Sequence, residues 1–135
     1  MNLIESLPKK LGTAACWVES GGVHWLNSSA SSVRELAHAM NAALARFITI
    51  TATELPGEQG IRLEYHWDLD GCLLGFPFEL QVKSIESIYD LCEAVDWAER
   101  EVHEGYAVEF AGRAYDPLLL RRGDKLGVNL RKEAE

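Results

Sequence analysis

The sequence predicts an α+β fold: two main helices packed on a mainly antiparallel or mixed β-sheet, followed by an irregular C-terminal tail. Three observations carry this expectation. Residues 61–70 and 74–82 alternate apolar and polar side chains on either side of Asp70-Gly71, the pattern of a half-buried antiparallel hairpin. Two other stretches, after Ser31-Ser32 and after Ser87, repeat apolar residues at spacings of three and four, the period of an amphipathic helix. After Gly112, Pro117, Gly123 and Gly127 interrupt any long element. Helices gathered on one face of an antiparallel sheet define the class.

In chain order, residues 2–12 read as a short helical turn, broken at Pro8 and stopped at Gly12. Residues 14–19 and 23–26 flank Ser20-Gly21-Gly22 and read as a hairpin with a glycine turn. Ser31 or Ser32 offers a hydroxyl to the first-turn amides of the first helix, and Glu35 stands near the acid position of a capping box. Val33, Leu36, Ala37, Met40, Leu44 and Phe47 mark its apolar stripe, which places its end near Arg46. Residues 47–53 are rich in β-branched side chains and predict a strand. Pro56-Gly57 opens a loop that runs to Gly60.

The hairpin follows. Ile61, Leu63, Tyr65, Trp67 and Leu69 share one face, and Arg62, Glu64, His66, Asp68 and Asp70 the other. On its second strand, Leu74, Phe76, Phe78, Leu80 and Val82 alternate with polar or small residues. Pro77 has no N–H for a ladder, so this strand is expected at an edge or bulged there. The second helix is expected over residues 87–105, with Ser87 as N-cap. Ile88, Leu91, Val95, Ala98 and Val102 form its inner stripe, and Gly105 ends it because glycine tolerates positive φ. Residues 106–110 read as a short extended piece. The chain divides into a single body, 1–112, and an extended tail for partner contact, 113–135.

With 135 residues, 47% of them hydrophobic and 25% charged, the chain is expected to be one soluble domain with a real core. No apolar run is long enough to span a bilayer. The first ten residues carry an acid among their apolar side chains, so they do not read as a secretory signal. Three widely spaced cysteines, Cys16, Cys72 and Cys92, argue against a disulfide framework or a metal-ligand set and fit a reducing cytoplasm. A net charge of -8 disfavours nucleic acid as a partner. The charge is uneven: 7 basic and 17 acidic residues up to Ala111, then 6 basic and 4 acidic from Gly112 on. A basic tail on an acidic body suits a segment that lies on another surface, although charge alone reads more simply as a solvated end.

The usual catalytic constellations are missing. No glycine loop has phosphate-binding spacing, and no serine sits in a nucleophile elbow. His66 and Asp68 share a strand face and can aim at one ion, which is also how a solvent face looks. His103 among Glu99, Glu101 and Glu104 is the candidate for a titrating or metal-binding cluster, against the commoner reading of a surface histidine. Glu99 and Glu101, two apart on a helix, point about 200° apart and cannot act on one atom. Charges on several sides of a helix suit one surrounded by protein. Arg100 with Asp96 and its other carboxylate neighbours suits a partly buried fork; the alternative is an exposed belt of pairs, each contributing about 0.3–0.5 kcal/mol.

The run from Ser87 through Trp97-Ala98-Glu99-Arg100-Glu101 to Glu104, Phe110 and Gly112 resembles the signature of the 30-kDa subunit family of respiratory complex I, the NADH dehydrogenase. That family also includes small subunits of energy-converting, membrane-bound [NiFe] hydrogenases. Gly127-Val-Asn-Leu130-Arg131-Lys132-Glu133 resembles the family's Gly-x-Pro-Leu-Arg-Lys-Asp ending. Glu104 stands where the family has Asp, Ala107 where it has Gly, Arg113-Ala114 where it has His-Pro, and Asn129 where it has Pro. These departures and the short chain look more like the hydrogenase branch.

The resemblance implies a non-catalytic, cofactor-free subunit at the cytoplasmic face of the inner membrane. It would pack against a large subunit, 49-kDa-like or [NiFe]-hydrogenase-like, whose complex carries [NiFe] or iron–sulfur centres. The C-terminal segment is the part expected on that partner, through Leu118, Leu119, Leu120, Arg121, Arg122, Leu130, Arg131 and Lys132, since apolar anchors beside arginine are common at hot spots. Two other readings stand beside it: a stand-alone interaction or regulatory module of the same fold, and a metal-dependent enzyme using His103 and Glu104 with Glu99.

Overall fold

The computed structural model describes residues 8, 17–27, 32–120 and 123–127 of the chain. Apart from Pro8, the helical turn expected at 2–12 lies outside the described residues, as do the beginning of the strand expected at 14–19 and Cys16. The elements are β1 (Val18–Ser20), β2 (Val23–Trp25), α1 (Val33–Ala42), β3 (Arg46–Glu54), β4 (Ile61–Leu69), β5 (Cys72–Leu80), β6 (Ser84–Glu86), α2 (Asp96–Tyr106) and β7 (Glu109–Ala111). Single 3-10 turns occupy Pro56–Glu58 and Glu93–Val95.

β4 and β5 form the expected hairpin, in register from Ile61↔Leu80 to Leu69↔Cys72. Asp70 and Gly71 make its turn, both at positive φ. β3 runs antiparallel on the other side of β4, and β2 lies parallel to β5, giving the order β1-β2-β5-β4-β3. The glycine hairpin at β1–β2 is present but short. Gly75 is required where β2 meets β5: a Cβ there would come within 2.6 Å of the Trp25 ring. β2 pairs with β5 only at Leu74 and Gly75. Pro77 therefore faces no strand on its outer side among the described residues and breaks no ladder there.

The period-two reading of β4 holds residue by residue. Ile61, Leu63, Tyr65, Trp67 and Leu69 are all buried, and the residues between them are only partly covered. α1 packs Val33, Leu36, Ala37 and Met40 into the same core. Ile88, Val95 and Val102 add the α2 side, which lies against β3. Burying each such aliphatic side chain contributes about 1.5–3 kcal/mol. The result is α+β, with helices packed on a mixed, mostly antiparallel sheet.

Several expectations change. α1 starts as predicted, with the Ser32 hydroxyl accepting from the Glu35 amide at 3.1 Å. It ends at Ala42 and not near Arg46. Leu44 takes a left-handed conformation (φ 59), and the Leu44 and Ala45 amides return to the carbonyls of Asn41 and Met40. This is a Schellman stop with leucine where glycine is usual. Leu44 is consequently 90% exposed and no part of the stripe, while buried Phe47 belongs to β3. Val82 likewise lies beyond β5 and is 76% exposed.

The second helix begins at Asp96 and not after Ser87. Residues 88–92 make one separate turn, in which the Leu91 and Cys92 amides both reach the Ile88 carbonyl. The helix end also moves. Gly105 is helical and buried, and Ala107 takes the left-handed position (φ 58), its amide donating to the His103 carbonyl. The chain must leave the helix there because β7 pairs from Glu109 onward with β6, in parallel. β6, only three residues long, has no period-two signal of its own, and its partner lies 25 residues away in register Ser84↔Glu109.

Left-handed backbone is costly for residues with a Cβ. Leu44→Gly and Ala107→Gly are each expected to raise the unfolding free energy by about 0.5–1 kcal/mol, seen as a higher urea midpoint. A lower midpoint for both would contradict these helix ends.

Candidate functional site

The polar centre of the molecule is built on α2. Glu99 is fully buried, a position carboxylates occupy only when paired. Its Oε1 accepts from the Ser87 hydroxyl at 2.7 Å and from Arg113 Nη1 at 3.2 Å; its Oε2 accepts from the Ile88 amide at 3.0 Å. Ser87 is thus a buried partner of Glu99 and caps no helix, while its oxygen accepts from the Tyr89 amide. Arg113 also donates to Asp96 Oδ1 at 2.6 Å, and its side chain is only 5% exposed. The rings of Tyr89 and Tyr115 lie 4.7 and 5.0 Å from its guanidinium carbon, adding cation–π attraction.

Arg100 works one turn away. It donates to Asp96 Oδ2 at 3.1 Å, the expected i,i+4 pair, and to the carbonyls of Asp116 and Pro117 at 3.0 Å each. Glu104, one further turn along, is buried and receives three successive amides: Leu118 and Leu119 at 2.7 Å and Leu120 at 2.9 Å. Its own carbonyl accepts from the Gly127 amide. His103 donates from Nδ1 to the Val108 carbonyl at 2.8 Å and stacks on Tyr115 with ring centroids 3.7 Å apart. The Tyr115 hydroxyl in turn accepts from the Phe110 amide. α2 therefore holds the path of residues 113–120 and the Gly127 amide on the same chain.

The charge states follow from these contacts. Burial pushes the Glu99 carboxyl above the ordinary range, against its hydrogen bonds from Ile88, Ser87 and Arg113. Burial opposes the charge of Asp96 too, but the hydrogen bonds from Arg113 and Arg100 win and hold it low. For Glu104, the three backbone amides outweigh burial in the same way. Arg113 stays charged, since Asp96 and Glu99 more than offset its burial. Burial lifts the Tyr115 phenol to about 12.

The signature residues separate into distinct places. Ser87, Glu99, Glu104 and Phe110 are buried, while Trp97 is 70% exposed and Glu101 and Gly112 lie at the surface. Trp97 therefore does not support the core; its Ala variant is expected to cost the isolated body little. The arginine inside the carboxylate cluster is chiefly Arg113, which sequence reasoning set aside as tail. Its only signal was a charged residue just after Gly112, with no spacing to tie it to α2. Of the residues expected on a partner, Leu119 is 76% exposed and Leu118 and Leu120 are half-buried. Arg121, Arg122, Leu130, Arg131 and Lys132 lie outside the described residues.

The suggested His103/Glu99/Glu104 cluster is not brought together around one point. Glu99 faces Ser87 and Ile88, Glu104 faces residues 118–120, and His103 faces Val108 and Tyr115. Nor do His66 and Asp68 converge: His66 packs edge-on against Trp25, and Asp68 faces Arg46. No group of three or more His, Cys, Asp or Glu among the described residues is placed to hold a metal ion. Among those residues no helix is long and apolar enough to cross a membrane.

Residues 26–135 match the family model for the respiratory-chain NADH dehydrogenase 30-kDa subunit. The chain belongs to this family. Membership makes it a subunit of a complex I-like respiratory complex, with partner subunits. Solved structures share its fold, among them the following two. The trypsin-resistant fragment (1-134) of Nqo5 is 19% identical over 83% of this chain and 97% of that one, with a TM-score of 0.65. A chain of the membrane-bound sulfane sulfur reductase, an archaeal respiratory membrane complex, is 22% identical over 82% of this chain and 71% of that one, with a TM-score of 0.64.

Two predictions follow the electrostatics. Arg113→Met leaves Glu99 buried without its cation and is expected to cost about 3 kcal/mol near neutral pH. A carboxyl whose folded pKa is raised loses stability as pH rises from its ordinary 4.5 through the raised value. The deficit of the variant should therefore shrink near pH 5, in urea melts at both pH values; an equal deficit would contradict a charged Glu99 stranded by the substitution. Asp96 and Glu104 have the opposite sign. Their stabilisation is present above 3.8 and 4.5 and lost as pH falls below those values. Glu104→Gln should flatten that acid limb, and an unchanged limb would contradict the role of its three amides.

Proposed function

We propose that the chain is a non-catalytic assembly subunit of a membrane-associated oxidoreductase complex, of the complex I or energy-converting [NiFe] hydrogenase type, that packs against the large catalytic subunit. The observation that carries this reading is the Glu104 carboxylate gathering the amides of Leu118, Leu119 and Leu120. It holds an apolar run on a set path at the surface, with Leu119 turned outward. Charged groups spent on holding the chain's own backbone suit a scaffold better than a reaction centre. The family assignment and the fold shared with a chain of a membrane-bound respiratory complex agree with it. Chemistry at [NiFe] or iron–sulfur centres then belongs to partner subunits, with this one at the cytoplasmic face of the inner membrane. The departures at Ala107, Arg113, Ala114 and Asn129 favour the hydrogenase branch.

The division into a body, 1–112, and a partner-binding tail, 113–135, belongs to the same proposal. The cut that tests it must spare Arg113 and Tyr115, because both pack on α2. An affinity-tagged full-length chain is expected to co-purify with the large subunit, identified by mass spectrometry. A chain ending at Asp116 should remain folded by circular dichroism and lose that subunit. Undiminished recovery with the shortened chain would remove the tail from the interface.

A further inference from the structure

The polar contacts of α2 leave one continuous face outward. The Tyr89 ring lies over Arg113, Arg113 is paired with Asp96, Asp96 with Arg100, and Arg100 lies 6.0 Å from the Trp97 ring. Arg100 then grips Pro117, next to the run that presents Leu119. Along this row Trp97 is 70%, Leu119 76% and Tyr89 39% exposed. Its arginines are neutralised from within. Among the described residues its rim is acidic: the side chains of Glu93 and Glu101 are exposed and make no hydrogen bond or ion pair there. Glu93 also lines, with Tyr89 and Asp90, a cleft of about 450 Å³. Aromatic and arginine side chains with an unpaired rim of one sign are the composition of a protein-binding hot spot.

We infer that Tyr89, Trp97 and Leu119, rimmed by Glu93 and Glu101, form a docking surface for a basic protein face, with Lys or Arg around an apolar pocket that takes the Trp97 indole. The occupant is assigned to the large subunit, and in that respect the inference rests on the assembly reading above. Charge argues against the other occupants. A two-fold contact between copies of this chain would set Glu93 and Glu101 against their own equivalents. An anionic lipid surface or nucleic acid would meet the same repulsion.

The test uses the full-length chain, affinity-tagged and co-expressed with the large subunit of its own complex. Wild type should recover the large subunit. Trp97→Asp and Leu119→Asp should each recover about tenfold less or lower, as expected for hot-spot anchors. Glu93→Lys combined with Glu101→Lys, which leaves every contact of the α2 network intact, should weaken recovery to a similar degree at low salt. Thermal midpoints should stay at the wild-type value in all three, and Leu44→Asp, a control at the end of α1, should recover the subunit fully. If wild type recovers the large subunit and the three variants do so equally well, the surface assignment is overturned and the assembly reading stands. If wild type recovers no large subunit, the assembly reading fails and the assignment falls with it. An isolated chain that sediments as a dimer, and as a monomer after Trp97→Asp, overturns the basic partner in favour of a second copy.

Discussion

A carboxylate with no access to water must have its lone pairs filled by protein, and Glu99 is such a carboxylate. Its three donors come from Ser87, Ile88 and Arg113, two on the strand side of the helix and one beyond β7. This one requirement fixes much of the local architecture. Ser87 cannot open the helix, because its hydroxyl is committed to a residue three turns into the expected one. The backbone between them makes a separate turn, and α2 begins late. Arg113 must return across α2 after β7, which draws the following segment along the helix. Removing Arg113 leaves Glu99 buried without its cation, whereas Arg113 without Glu99 keeps Asp96, so the pair acts as a constraint on geometry more than as a source of stability.

Arg100 and Glu104 continue the same logic with backbone partners. A segment without regular structure needs partners for its amides and carbonyls wherever water is excluded. Arg100 supplies donors to two carbonyls, and Glu104 supplies acceptors to three amides. Charge-assisted hydrogen bonds of this kind are stronger than neutral ones. Polar atoms turned inward leave apolar side chains turned outward, and Leu119 and Trp97 are exposed as a consequence. The internal network and the exposure of Trp97 and Leu119 are thus two sides of one arrangement.

The strands were legible because burial on one face imposes period two directly on the sequence. In β4 every inward position is aliphatic or aromatic and every outward one polar, and Asp70-Gly71 marks the turn. The α1 cap was legible for the same local reason. The helix ends were not: Leu44 and Ala107 adopt a conformation that favours glycine, so the usual marker is absent, and Gly105, which carries it, is helical. β6 and β7 were weak signals because each is three residues long and pairs with a distant partner. At the site, the spacing of Glu99 and Glu101 correctly separated the two carboxylates. It could not show that Glu99 alone goes inside. Nor could it show that Arg113 follows it, since that contact spans 14 residues across a strand and a turn. Tertiary pairing of this sort leaves no periodic trace.

The central claim is that carboxylates on α2 hold the segment after β7 in a set path. Amide hydrogen exchange on the isolated chain, resolved to single residues by NMR, measures it most directly. The amides of Ile88, Leu118, Leu119 and Leu120 should exchange far more slowly than those of an exposed loop. In Glu104→Ala the last three alone should become fast, while Ile88 stays protected by Glu99. Rapid exchange of Leu118, Leu119 and Leu120 in the wild-type chain would contradict it.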